Sequence, residues 1–204
     1  MKERSTTEQP PIRRSHKWSV PTSAVILVLA ALTVQASKPA GEPTVYETDS
    51  GYVEFESRVP LHTFTGQSND LVGRVNLADS TVDFYVDLAT LRTGNGKRDK
   101  DMRTALNVDE HPFAEYYGKL ITPFDESLEG DQPARTRGTF TVHGVSREIE
   151  VQGVLRNTPD GLYMSAEWTL NLEDYDIEPP RLLIVKVHPE QELKIEATLE
   201  RVPQ

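Results

Sequence analysis

Few side chains in this sequence have the types and spacing that chemistry needs. His62, His111, His143 and His188 are scattered, and none forms an HxH or HxxxH pair. A transition-metal site draws converging ligands, usually with one short-spaced pair, so the pattern offers no metal centre. His143 reads as a turn residue and His111, before Pro112, as a loop residue. Cysteine is absent, which removes disulfides, thiol nucleophiles and thiolate sites. There is no Gly-x-Ser-x-Gly elbow and no glycine-rich phosphate loop. The expectation is a protein without catalysis and without a cofactor. Asp99 and Asp101 interleave with Arg98 and Arg103. That cluster reads as helix capping with local ion pairs, the alternative being a charged lid over a site.

What remains is apolar, and it falls on every second residue. Phe55, Phe84, Val86, Phe140, Met164, Trp168 and Leu170 share faces by parity. Small residues occupy the same faces: Ser57, Gly73, Gly138, Gly153, Ala166 and Ala197. Large and small together leave two outcomes, a filled core or a hollow channel. A channel would suit a long hydrocarbon. Burying ten methylenes contributes about 8 kcal/mol, which corresponds to roughly micromolar binding. Met102 and Leu106, with Phe113 in a following loop, would cover its mouth.

Seven clean alternating runs carry these residues: 53–59, 71–77, 82–88, 136–142, 145–155, 162–172 and 193–199. Each is a strand with one buried and one wet face. Residues 115–122 supply an eighth strand. A parallel sheet would be apolar on both faces, so the sheet is antiparallel. Turns are predicted at Asp79-Ser80, His143-Gly144 and Pro159-Asp160-Gly161. One short helix is predicted over Lys97–Asn107, and an irregular segment over Glu173–Pro180. Eight antiparallel strands in one domain form a closed barrel or a sandwich. An eight-stranded barrel is just wide enough for side chains to fill or for one small ligand to enter. An exposed edge strand would let two barrels pair as a homodimer.

The first 36 residues have a different character. Arg13, Arg14 and Lys17 precede an apolar run, Val25–Val34, and Val34-Gln35-Ala36 fits a cleavage site. This is a secretory signal pattern, with an uncleaved membrane anchor as the alternative. Residues 37–44 are a Pro/Gly-rich linker, and the barrel is expected over 45–202. The expected location is periplasmic or secreted. Residues 1–36 carry five Lys/Arg and two Asp/Glu, so the remainder holds 17 basic against 30 acidic side chains, a net charge of −13. Such a body repels phosphate backbones, and nucleic acid is excluded as a partner.

Three segments carry a resemblance. Leu91–Phe113 is similar to a T-x-N-x-x-R-D stretch followed by a Y/H-P-x-x-F stretch, with Thr93, Asn95, Arg98, Asp99, Met102, Pro112 and Phe113 matching in type. Gly138–Arg147 is close to a G-x-L-T-h-H-G-V-T/S-R/K hairpin, and Leu170–Ile177 stands where an Asn-Arg-Asp-aromatic-Gly segment is expected. Together they resemble the YceI-like polyisoprenoid-binding family of exported bacterial proteins, across residues 45–202. The resemblance implies an all-β, antiparallel, lipocalin-like eight-stranded barrel with one short helix. It also implies a polyisoprenoid, quinone or similar long amphiphile in the lumen, with membrane contact for ligand exchange. The alternative is a ligand-free exported interaction or scaffold domain with a packed barrel. Two departures bear on the polar end of the cavity. Asp49-Ser50-Gly51-Tyr52 replaces a His-Ser pair, and Glu173 and Asp176 replace an Arg/Ser and a Gly.

Overall fold

Eight long strands alternate in the order the hydrophobic pattern dictates. The computed structural model describes residues 44–60, 62–179, 181–182 and 185–203. The signal or anchor segment and all of the linker except Thr44 lie outside the described residues. The strands are β1 (Val45–Val59), β2 (His62–Asn76), β3 (Thr81–Asp87), β4 (Phe113–Leu120), β5 (Gln132–Val142), β6 (Val145–Thr158), β7 (Gly161–Asn171) and, after two short strands, β10 (Glu190–Arg201). Every neighbouring pair is antiparallel, and β1 bonds to both β2 and β10, so the sheet closes into a barrel in the order β1-β10-β7-β6-β5-β4-β3-β2. Closure corrects the expectation of an exposed edge: among these eight strands none has a free side through which two barrels would pair.

β1 and β2 are longer than their clean alternation suggests, because each carries a bulge. Thr48 faces Gly73 and Gly51 faces Leu71, so β1 gains a residue there; between Gly51/Leu71 and Val53/Ser68 it is β2 that gains one. An extra residue moves the following side chains to the other face. Tyr46 therefore points inward ahead of the β1 bulge, and Val53, Phe55 and Ser57 point inward after it. In β2 the inward set changes from Phe64, Gly66 and Ser68 to Leu71, Gly73 and Val75.

The connections divide between the two ends. The first end carries the 77–80 and 159–160 turns and the 121–131 loop. Phe124 of that loop packs on a core cluster that includes Leu162, Leu199, Val75 and Tyr46. The Tyr46 hydroxyl donates to Glu126 Oε1 at 2.7 Å. Burial, and then that acceptor, push the Tyr46 hydroxyl up to about 12, so it remains a donor at any ordinary pH. The second end carries the 88–112 connection, the His143-Gly144 hairpin and the 172–189 connection. Both hairpin residues have positive φ, 55° and 76°, as a two-residue type I′ turn requires. Within 172–189 a 3-10 turn, Leu172–Tyr175, is followed by the small hairpin of β8 (Arg181–Leu182) and β9 (Val185–Lys186). A second cluster, with Phe140, Val142, Leu170, Tyr175 and Ile177, lies at this end.

Among the described residues one α-helix, α1, spans Gly96–Ala105, starting one residue before and ending two residues before the predicted range. Asn95 caps it, its side chain accepting from Lys97 N and Arg98 N at 3.0 and 3.1 Å. The helix stops because Asn107 turns into the left-handed region at φ 48°. Asp99 is 6% exposed and accepts from Thr93 N at 2.8 Å and Thr93 Oγ1 at 2.5 Å. Burial alone would raise its carboxyl pKa, but the two Thr93 bonds and the nearby Arg103 and Arg92 overcome this and hold it below the usual range. A depressed folded pKa means that its contribution is complete above the unfolded value of about 3.9 and is lost as pH falls through the folded one. Asp99→Asn is therefore expected to cost about 1–3 kcal/mol at neutral pH and to weaken the loss of stability in acid. Urea unfolding at neutral and acidic pH checks both.

Candidate ligand-binding site

The inward faces of all eight strands do not meet at the barrel axis. They enclose a cavity of about 230 Å³ whose wall is almost wholly apolar. A void near 150 Å³ lined by aliphatic and aromatic side chains stays dry and admits benzene, so this one is large enough to hold hydrocarbon and apolar enough to exclude water.

Backbone spacing explains part of the hollow. Phe55 faces Gly66 across the β1–β2 pair, and Phe84 faces Gly73 across β2–β3. A Cβ on Gly66 would lie 2.2 Å from Phe55 Cε1, and one on Gly73 would lie 1.9 Å from Phe84 Cδ1. Both rings thus lie against the neighbouring strand instead of projecting across the lumen. Phe140 is held edge-on between Trp168 and Tyr175, with ring centroids 6.0 and 5.6 Å apart.

Of the residues singled out in the sequence, Phe55, Phe84, Val86, Met102, Leu106, Phe140, Met164, Trp168 and Leu170 line this cavity. Phe113 does not, which corrects its expected place at the mouth. It opens β4 opposite Asp87 on the outer face, is 41% exposed, and packs edge-on against Tyr85 at 5.6 Å. Directly after Pro112 it already belongs to the strand, and parity turns it outward while Ala114 and Tyr116 turn in. Phe64, Tyr116 and Arg98 line the cavity but were not read as site residues. For Phe64 the available signal was the short alternation Phe64-Gly66-Ser68 against Thr63, Thr65 and Gln67.

The polar atoms of the wall are few. The Tyr116 hydroxyl donates to Thr136 Oγ1 at 2.8 Å. Three buried atoms have no hydrogen-bond partner among the described residues: Ser57 Oγ, Arg98 Nε and Trp168 Nε1. Leaving a buried donor unpaired costs about 1–3 kcal/mol, so three in one wall require a reason. The Arg98 guanidinium lies 4.2 Å over the Phe64 ring and donates through Nη2 to Thr93 O at 2.8 Å. Asp101, also in the wall, is paired with Lys97 at 2.9 Å. In this cluster Asp99 bonds to Thr93 and Asp101 pairs with Lys97, while Arg98 and Asp101 also line the cavity.

His111 and His143 meet edge-on with centroids 5.9 Å apart, and His143 Nδ1 lies 3.1 Å from Tyr175 O. No group of three or more His, Asp or Glu among the described residues is placed to hold a metal ion. The departures from the expected motifs also lie off the lumen. Asp49 and Ser50 are exposed at the β1 bulge, and Glu173 and Asp176 are exposed on the 3-10 turn, whose Leu172 faces the cavity. They leave the polar end of the cavity to other residues.

A closed eight-stranded antiparallel barrel around an apolar lumen, with a helix in its wall at one end, is the architecture of barrels that hold a ligand internally. The YceI-like domain model matches residues 46–199, and the chain belongs to that family. UPF0312 protein VPA0850 of Vibrio parahaemolyticus is 28% identical over 102 residues, and the match spans about half the length of that relative and 50% of this chain. A polyisoprenoid-binding domain from Saccharophagus degradans superposes with a TM-score of 0.67 at 17% identity, over 79% of this chain and 100% of that one. Burkholderia cenocepacia BcnA superposes with a TM-score of 0.60 at 10% identity, over 72% and 94%. At these identities the likeness to the solved structures is one of fold.

Proposed function

We propose that this protein is an exported carrier that buries the tail of a long amphiphile, a polyisoprenoid, quinone or similar lipid, in its barrel lumen. The observation that carries the reading is the apolar cavity, to which every barrel strand contributes side chains. Family membership and the fold shared with a polyisoprenoid-binding domain support it. A packed scaffold barrel is disfavoured by the same void, because an interaction domain gains nothing from folding two phenylalanine rings back against glycines. Chains longer than the resting cavity are accommodated by Met102 and Met164, whose unbranched thioethers re-pack at little cost. A water-insoluble cargo has to be collected from a membrane or another carrier, and export places the barrel beside such a surface. The reading assigns no reaction to the wall, where the side chains offer contact and hydrogen bonds only.

The test is to purify the chain from its own host, extract it with organic solvent and identify the extract by mass spectrometry. A long-chain lipid in near-stoichiometric amount is expected. An empty extract, together with no uptake of quinones or prenyl chains by the purified protein, overturns the reading.

A further inference from the structure

The three unpartnered polar atoms of the wall lie toward the same end of the barrel. β1 and β7 both run toward the α1 end, and Ser57 and Trp168 stand near their last residues. Across the strands between them, Ser57 pairs with Gln191, Phe55 with Leu193, and Leu193 with Trp168. Phe64, opposite Ser57, carries the Arg98 guanidinium over its ring at 4.2 Å. Arg98 makes no ion pair among the described residues, and the wall's carboxylate, Asp101, is paired with Lys97 at 2.9 Å. An acidic chain of net charge −10 thus places one cation without an ion pair and two further unpartnered donors in a mostly apolar wall. Arg98 as a whole is half-buried, but its buried Nε, like Ser57 Oγ and Trp168 Nε1, lacks the partner that an acceptor on a ligand would supply.

Resting on the carrier reading above, we infer that the cargo is an amphiphile with an anionic head group, a carboxylate or a phosphate monoester, seated under α1 against Arg98, Ser57 and Trp168. The tail then runs down the barrel toward Met164. All three groups donate hydrogen bonds, so the complementary head carries acceptors. Arg98 adds a positive charge, which selects a charged acceptor over a neutral alcohol or ester.

The test compares hexadecanoate, hexadecyl phosphate, hexadecanol and methyl hexadecanoate as ligands of the delipidated full chain near neutral pH. The two anions are expected to bind roughly tenfold to a hundredfold more tightly than the neutral pair, the range that charge-assisted bonds support. Arg98→Gln removes that preference, weakening the two anions far more than hexadecanol. Trp168→Phe weakens the anions more than the neutral pair, by a smaller factor than Arg98→Gln. Equal binding of all four to the unaltered chain overturns the inference and leaves the carrier reading intact. An Arg98→Gln effect of the same size on all four also overturns it. If none of the four binds, the inference falls, while the carrier reading is decided by the lipid extract and the uptake of quinones and prenyl chains. Should Arg98→Gln fail to fold, the ranking on the unaltered chain decides alone.

Discussion

Substituting Ala166 by phenylalanine is expected to lower the affinity for any long-chain ligand by at least about a hundredfold while the barrel stays folded. Ala166 lies in the wall on β7, opposite Ile195 of β10 and Gly153 of β6. Its methyl is one of the small groups that keep the lumen open. A phenyl ring is the size of guest that a void near 150 Å³ accepts, so it takes most of a cavity of about 230 Å³. Blocking even half of ten methylene sites forfeits about 4 kcal/mol of burial, more than a hundredfold in affinity. The cost to stability is smaller, about 1–3 kcal/mol for an overpacked site against a typical total of about 5–15 kcal/mol. Titration with a fluorescent fatty chain, beside thermal unfolding of the same sample, separates the two effects. Unchanged affinity in a folded variant would place the ligand outside the lumen.

The largest effect on stability is expected at the other end. Leu162 and Leu199 face each other across β7 and β10, and each is 0% exposed. Leu162→Ala removes buried methyl groups from a wall that cannot collapse around them, because Gly161 holds the β10 backbone close: a Cβ there would stand 2.1 Å from Leu199 O. Such substitutions cost about 2–5 kcal/mol. For a domain of this size that lowers the midpoint of thermal unfolding by about 5–20 °C. The same change at Leu128, 54% exposed on the 121–131 loop, is expected to move it hardly at all. Calorimetry of the two variants checks the contrast. Ligand affinity of folded Leu162→Ala should stay near that of the parent chain, since Leu162 does not line the cavity.

The fold was legible wherever alternation runs unbroken. β3, β5, β6, β7 and β10 each present one apolar and one polar face, and their places in the chain follow from that period alone. β1 and β2 were read only from Val53 and Leu71 onward. Each bulge shifts parity by one, so Tyr46 and Phe64 look out of phase with the runs that follow them. That is also why Phe64, which carries the Arg98 contact, escaped notice. Phe113 failed for a related reason: a single aromatic after a proline gives no phase, and only its pairing with Asp87 shows that it faces outward. Arg98 was visible as a helix charge, but its direction depends on the Asn95 cap and the bond to Thr93 O, which set how α1 enters. Whether the lumen is hollow was not readable from residue types, because it turns on which rings pack over which glycines. Gly66 and Gly73 make that decision through register, and register is a property of paired strands.

The carrier role requires a hollow lumen that an apolar chain occupies. Trp168 lies in that wall, and the other tryptophan, Trp18, belongs to the N-terminal segment. In a Trp18→Phe background, Trp168 fluorescence can be followed while a fatty acid brominated at mid-chain is added, since bromine quenches only on contact. The carrier role predicts saturable quenching near equimolar ligand, lost when Ala166→Phe is added. Emission that stays constant through the titration, or is quenched equally with Ala166→Phe, would contradict it.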